Sequence, residues 1–150
     1  MTRIFFILAI FLGFSFLQAD LNGENFEKIE IPKDARCKVC GMLISKNPQW
    51  VAIIEEKGEI YYFDGVKDML KYYFRNGKKF DKLFVSDYYK LRKIDAKNAF
   101  FVIGSNVFGP MGDEFIPFEK EEDALNFAKD HLGDKVLTFD EINQNLVEDL

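Results

Sequence analysis

Cysteine and histidine are nearly missing: the 150-residue chain has two cysteines, Cys37 and Cys40, and one histidine, His131. A structural zinc site takes four cysteine or histidine ligands, and a rubredoxin-like iron centre needs a second cysteine pair, so neither can be assembled. Excess positive charge is also missing. Twenty Lys and Arg stand against 25 Asp and Glu, with no basic stripe, which excludes an ordinary nucleic-acid binder. There is no GxSxG, no P-loop and no dinucleotide fingerprint, and enzyme classes built on those lose their support. The paired carboxylates Asp64 and Asp68 and the acidic run 119–123 read as a helix cap and a solvated first turn. The expectation is a protein that is not an enzyme.

Only one long apolar run exists, residues 4–17, interrupted by Gly13 and Ser15 and followed by Gln18, Ala19 and Asp20. It falls short of the roughly 20 apolar residues of a membrane span and has the form of a secretory signal peptide. Cleavage is expected after Ala19. Both cysteines lie well beyond that point, so no lipid-bearing cysteine is expected, and the mature protein is read as soluble and periplasmic, with no integral membrane segment. Phenylalanine (17) and tyrosine (6) are plentiful, and a mature chain of this length can bury one core.

Along the chain, residues 20–36 are polar, contain Asn22-Gly23 and Pro32, and are expected to form a flexible N-terminal arm. Residues 51–55 and 59–63 read as strands joined by the turn Glu56-Lys57-Gly58. Asp64 offers an N-cap to a helix whose buried face is Val66, Met69, Leu70, Tyr73 and Phe74, ending near Gly77, and a strand follows at 83–86. The second half repeats the order: strands at 99–103 and 114–118, a helix with Ala124, Leu125, Ala128 and Leu132 on its apolar face, and a strand at 136–139. Shifted by 55, Ile60-Tyr61-Tyr62-Phe63-Asp64 lines up with Phe115-Ile116-Pro117-Phe118-Glu119, and Asp68-Met69-Leu70 with Asp123-Ala124-Leu125. The expected fold class is therefore α+β, two related ββαβ units packed together, with residues 88–98 as linker and a short C-terminal helix over 140–147.

Cys37-Lys38-Val39-Cys40-Gly41-Met42 places two thiols and a thioether within six residues. Soft sulfur ligands select Cu(I), which tolerates two or three of them. Spacing alone leaves metal binding and a disulfide, structural or catalytic, equally open. A catalytic pair would follow a buried strand and open a helix, and Ile31-Pro32-Lys33-Asp34-Ala35-Arg36 does not read as such a strand. Arg36 and Lys38 flank the thiols and favour the thiolate. The glycine- and proline-rich loop 104–112 carries Met111, either a further thioether donor or a gap-filling core methionine. Met69, on the apolar helical stripe, belongs to the core, and His131 falls on a charged helix face.

Taken in order, these segments resemble the NosL family, the periplasmic copper chaperones that accompany nitrous oxide reductase. The likeness runs from Arg36-Cys37-Lys38-Val39-Cys40-Gly41-Met42 through Tyr62-Phe63-Asp64-Gly65-Val66-Lys67-Asp68-Met69, Val85-Ser86-Asp87-Tyr88-Tyr89 and Ala99-Phe100-Phe101-Val102-Ile103-Gly104-Ser105 to Gly109-Pro110-Met111-Gly112 and Phe115-Ile116-Pro117-Phe118. The resemblance implies a NosL-like domain over residues 37–150, with repeat units at about 37–90 and 99–140, and a fold likened to organomercurial lyase. It also implies Cu(I) as cargo and nitrous oxide reductase, or its membrane-bound maturation complex, as partner. The shared Cys-Gly-Met core is Cys40-Gly41-Met42, joined by the loop methionine Met111. Cys40 is then the principal thiolate, Met111 and Met42 the thioether donors, and Cys37 an auxiliary thiolate. Many members are lipoproteins and some carry a histidine near the motif. This sequence lacks both features, so a free periplasmic form and an all-sulfur site are expected. The rival readings are a thiol–disulfide oxidoreductase using Cys37 and Cys40, and a partner-binding module pinned by their disulfide.

Overall fold

Lys57 and Gly58 take φ values of 50° and 86°, the two left-handed positions of a two-residue hairpin. The chain turns back there, and β1 (Ala52–Glu56) pairs antiparallel with β2 (Glu59–Phe63), Ala52 opposite Phe63. The computed structural model describes residues 27–150; the expected signal peptide and the first part of the arm lie outside them. Helix α1 (Val66–Arg75) buries Val66, Met69, Leu70 and Tyr73, the spacing its sequence carries, and stops where Asn76 N–H donates to Tyr72 O and Gly77 turns at φ 73°. Strand β3 (Lys82–Ser86) then returns beside β1, and β4 (Lys93–Asp95) pairs with β3.

The second unit follows the same path: β5 (Phe100–Ile103), β6 (Ile116–Phe118), α2 (Glu121–Asp130) and β7 (Lys135–Thr138). Sheet orders are β2-β1-β3-β4 and β6-β5-β7, so in each unit the first strand lies between its hairpin partner and the strand after the helix. A shift of 55 carries Val66 onto Glu121 and Arg75 onto Asp130. The two ββαβ units therefore share a topology as well as a faint sequence likeness. A last helix, α3 (Gln144–Asp149), is capped by the Asn143 side chain and sinks Val147 against α1.

One large apolar cluster joins the units, bringing Ile54, Phe63, Met69, Leu70 and Leu83 together with Phe101, Phe115, Phe139 and Val147. Each such side chain contributes roughly 1.5–3 kcal/mol by leaving water. A second cluster, on the outer side of the smaller sheet, holds Trp50, Val102, Ile116, Phe118, Ala124 and Phe127. Asp87, fully buried, fastens the halves: Oδ1 accepts from the N–H groups of Tyr89 and Lys90, and Oδ2 from that of Glu119.

Several local expectations are corrected. From Glu27 to Arg36 the arm is mostly exposed but touches the body at three points: Ile29 is buried, Tyr62 Oη donates to Glu30 O, and Lys93 N–H donates to Glu27 O. Its polarity conceals one apolar anchor and one backbone hydrogen bond to β4. The expected linker 88–98 contains β4 and a 3-10 turn, with Ile94 and Ala96 buried. On α2 the buried residues are Ala124 and Phe127, while Leu125 is 54% exposed and Leu132 73%. The helix ends at His131, and Leu132 takes φ 57°, which swings it off the helical face. The C-terminal helix starts at Gln144, because Thr138 and Glu141 form a capping box around a 3-10 turn that buries Phe139.

Candidate metal centre

The cysteine loop is a tight knuckle built by its own backbone. Arg36 pairs with Leu43, Cys37 N–H donates to Met42 O at 2.8 Å, and Gly41 N–H donates back to Cys37 O at 2.9 Å. Gly41 sits at φ 77°, a left-handed position that glycine occupies without strain. Lys38 N–H donates to Tyr62 O at 2.8 Å, docking the knuckle on the free edge of β2. That edge runs straight into Phe63, Asp64 and the first turn of α1, so the thiols come to rest over the start of the helix.

There they meet two carboxylates. Cys40 Sγ donates to Asp64 Oδ2 and Cys37 Sγ to Asp68 Oδ2, both at 3.3 Å, and the four ligand atoms lie within 4.8 Å of one another. Cys37 is buried and Cys40 exposed. Asp64 and Asp68 are 4% and 6% exposed, and Asp64 Oδ1 is buried with no hydrogen-bond partner. A buried carboxylate oxygen without a partner is costly, and Asp64 belongs to the group of four side chains that could hold a cation. Burial, the largest cause, pushes both thiols above their ordinary range, and the nearby Asp64 carboxylate pushes in the same direction.

Asp64 and Asp68 were expected as a cap and a solvated first turn, and this is corrected. The N-cap is Gly65, with no side-chain cap bond, and neither carboxylate meets much water because the knuckle covers them. Asp64 lies just ahead of the N-cap and Asp68 in the first turn of α1, and the knuckle brings a cysteine against each. The helix start is instead capped from the other unit. Glu114 Oε1 accepts from Lys67 N–H at 2.6 Å and Phe115 N–H at 2.9 Å.

The two candidate thioethers are both exposed, Met42 at 38% and Met111 at 49%. Met42 closes the knuckle. Met111 sits with Pro110 at the tip of a turn clasped by reciprocal hydrogen bonds between Gly109 and Gly112, and its exposure removes the core-methionine alternative. Lys67 Nζ donates to Met111 O at 3.2 Å, tying this loop to the first turn of α1, which carries Asp68. His131 is elsewhere, its ring 4.3 Å from that of Phe127. Among the described residues no helix is long and apolar enough to cross a membrane.

A protein-family model for NosL matches residues 28–147. The copper-binding lipoprotein NosL of Stutzerimonas stutzeri is 29% identical over 156 residues, spanning 95% of this chain and 82% of that protein. The crystal structure of the copper chaperone NosL from Shewanella denitrificans superposes with a TM-score of 0.72 at 26% identity, covering 80% of this chain and 98% of that one.

Proposed function

Because the chain belongs to the NosL family, we propose that it is a periplasmic chaperone that binds Cu(I) and delivers it to nitrous oxide reductase, or to the membrane-bound complex that matures that enzyme. The observation that carries this reading is the exposed Cys40 thiol held against Asp64, whose other oxygen has no partner. A thiol, a second thiol below it, the Met42 thioether of the same knuckle and the Met111 thioether of the 109–112 turn make up a soft donor set, the kind that selects Cu(I). Cys40 is the principal thiolate, Met42 and Met111 supply thioethers, and Cys37 is auxiliary. Asp64 and Asp68 hold the sulfurs in place and accept their hydrogen bonds until the metal displaces the thiol protons. Exposure of Cys40, Met42 and Met111 suits a cargo that must leave, since a partner thiolate can bond to copper before the chaperone lets go.

A thiol–disulfide oxidoreductase fits the site less well. Such an enzyme lowers the pKa of its attacking cysteine, whereas both thiols here donate to carboxylates at 3.3 Å and burial raises them. The deciding experiment is an anaerobic titration of the reduced protein with Cu(I) against a chromophoric chelator, beside Cys40→Ser and Met111→Ala. Tight binding at one ion per chain, abolished in the first variant and weakened in the second, is expected, followed by metal transfer to copper-free nitrous oxide reductase. Failure of the reduced protein to compete for Cu(I) overturns the reading.

A further inference from the structure

Two buried charged side chains join the second unit to the helix start beside the metal site. Glu114 is 4% exposed and Lys67 5%, rare burial for both residue types. Each spans the same joint in the opposite sense. Glu114, three residues beyond Met111, reaches the backbone N–H of Lys67 in the first turn of α1, and Lys67 reaches back with Nζ to the carbonyl of Met111. The space around them is cut to fit. A Cβ on Gly65 would collide with the Glu114 carboxylate, and one on Gly109 would stand 3.0 Å from Glu114 Cβ. Both backbones thus approach the glutamate as closely as glycine allows.

From this reciprocal arrangement we infer that Glu114 and Lys67 are positioning residues for copper, a clamp that holds the Met111 loop at the distance from Cys40 and Asp64 at which its thioether can reach the same ion. The inference rests on the reading of Met111 as a thioether donor. The geometry gives it a direct reason. Both hydrogen bonds of the clamp meet α1 at Lys67, next to Asp68, and within the turn itself Gly109 and Gly112 exchange two backbone hydrogen bonds. A thioether is a weak, uncharged donor, and its share in binding falls away once its loop is free to move. Groups that orient a metal ligand without touching the metal commonly change affinity by about 10-fold to 100-fold when removed.

The test is a cycle of Cu(I) affinities on the reduced full-length mature protein: wild type, Met111→Ala, Glu114→Ala, Glu114→Gln, Lys67→Met and the double variant Met111→Ala with Lys67→Met. Lys67→Met and Glu114→Ala should each weaken binding about as much as Met111→Ala, roughly 10-fold or more. The double variant should bind no more weakly than Met111→Ala alone. Glu114→Gln keeps an oxygen at the position that accepts both N–H bonds and should restore most of the affinity. Copper X-ray absorption should show one fewer sulfur neighbour in Lys67→Met, a change that general loosening of the fold does not produce. Lys67→Met keeps the helix and the side-chain stem, so it remains informative if Glu114→Ala does not fold. Wild-type affinity in Lys67→Met, or losses that add fully to that of Met111→Ala, overturns the clamp while leaving copper binding intact. Loss of binding already in the wild type refutes the chaperone reading instead.

Discussion

Raising the pH from 5 to 8 should weaken the fold through one residue, Glu114. Burial pushes its carboxyl from 4.5 up to about 7, against the pull of two backbone N–H groups and the Lys67 charge. A carboxyl raised in the folded state is one that the fold prefers protonated. Below about pH 4.5 it is protonated both folded and unfolded, and it costs nothing. Between 4.5 and 7 the unfolded chain gives up its proton first, so stability declines as pH rises, and above 7 the loss is complete. At about 1.4 kcal/mol for each tenfold change in proton affinity, the whole effect is roughly 3 kcal/mol, a large part of the 5–15 kcal/mol that holds a typical domain. Urea unfolding followed through the single tryptophan, Trp50, which is buried, gives the measurement. With a urea dependence of about 1–3 kcal/mol per molar, the midpoint should fall by about 1–3 M between pH 5 and pH 8. Glu114→Gln removes the titration and keeps the acceptor oxygen, so its midpoint should hold nearly level. A wild-type midpoint that stays flat, or a glutamine variant that falls in parallel, would refute the reasoning.

Other perturbations test the site directly. Iodoacetamide at pH 7.5 should alkylate exposed Cys40 well before buried Cys37, and Asp64→Asn should speed the reaction at Cys40 by removing the carboxylate that raises its pKa; peptide mass spectrometry reads both, and faster labelling of Cys37 would contradict the geometry. Gly65→Ala should destabilise the protein by about 1–3 kcal/mol, because the added methyl meets the Glu114 carboxylate while the extended backbone there, φ −160°, suits any residue. A thermal melt unchanged from wild type would show that the carboxylate yields freely.

Much of this protein was legible in one dimension. The period of Val66, Met69, Leu70 and Tyr73, the turn Lys57-Gly58 and the shifted match between the halves depend only on residues near each other in sequence, because a helix or hairpin buries whatever its own spacing presents. The Cys-Gly-Met segment and the loop methionine stood out for a similar reason, since soft donors are few in this chain and each carries its chemistry with it. Packing between distant segments settled the rest. A polar arm proved to be anchored by Ile29, residues 88–98 added a strand to the sheet, and Leu125 gave its place to Phe127. Above all, Asp64 and Asp68 look in sequence like any acidic pair at a helix start, where water would solvate them. They became partners of the thiols only because the knuckle, held by Tyr62 O, lies across them. Whether a carboxylate meets water or a thiol is decided by what covers it, and the covering segment lies more than 20 residues away along the chain.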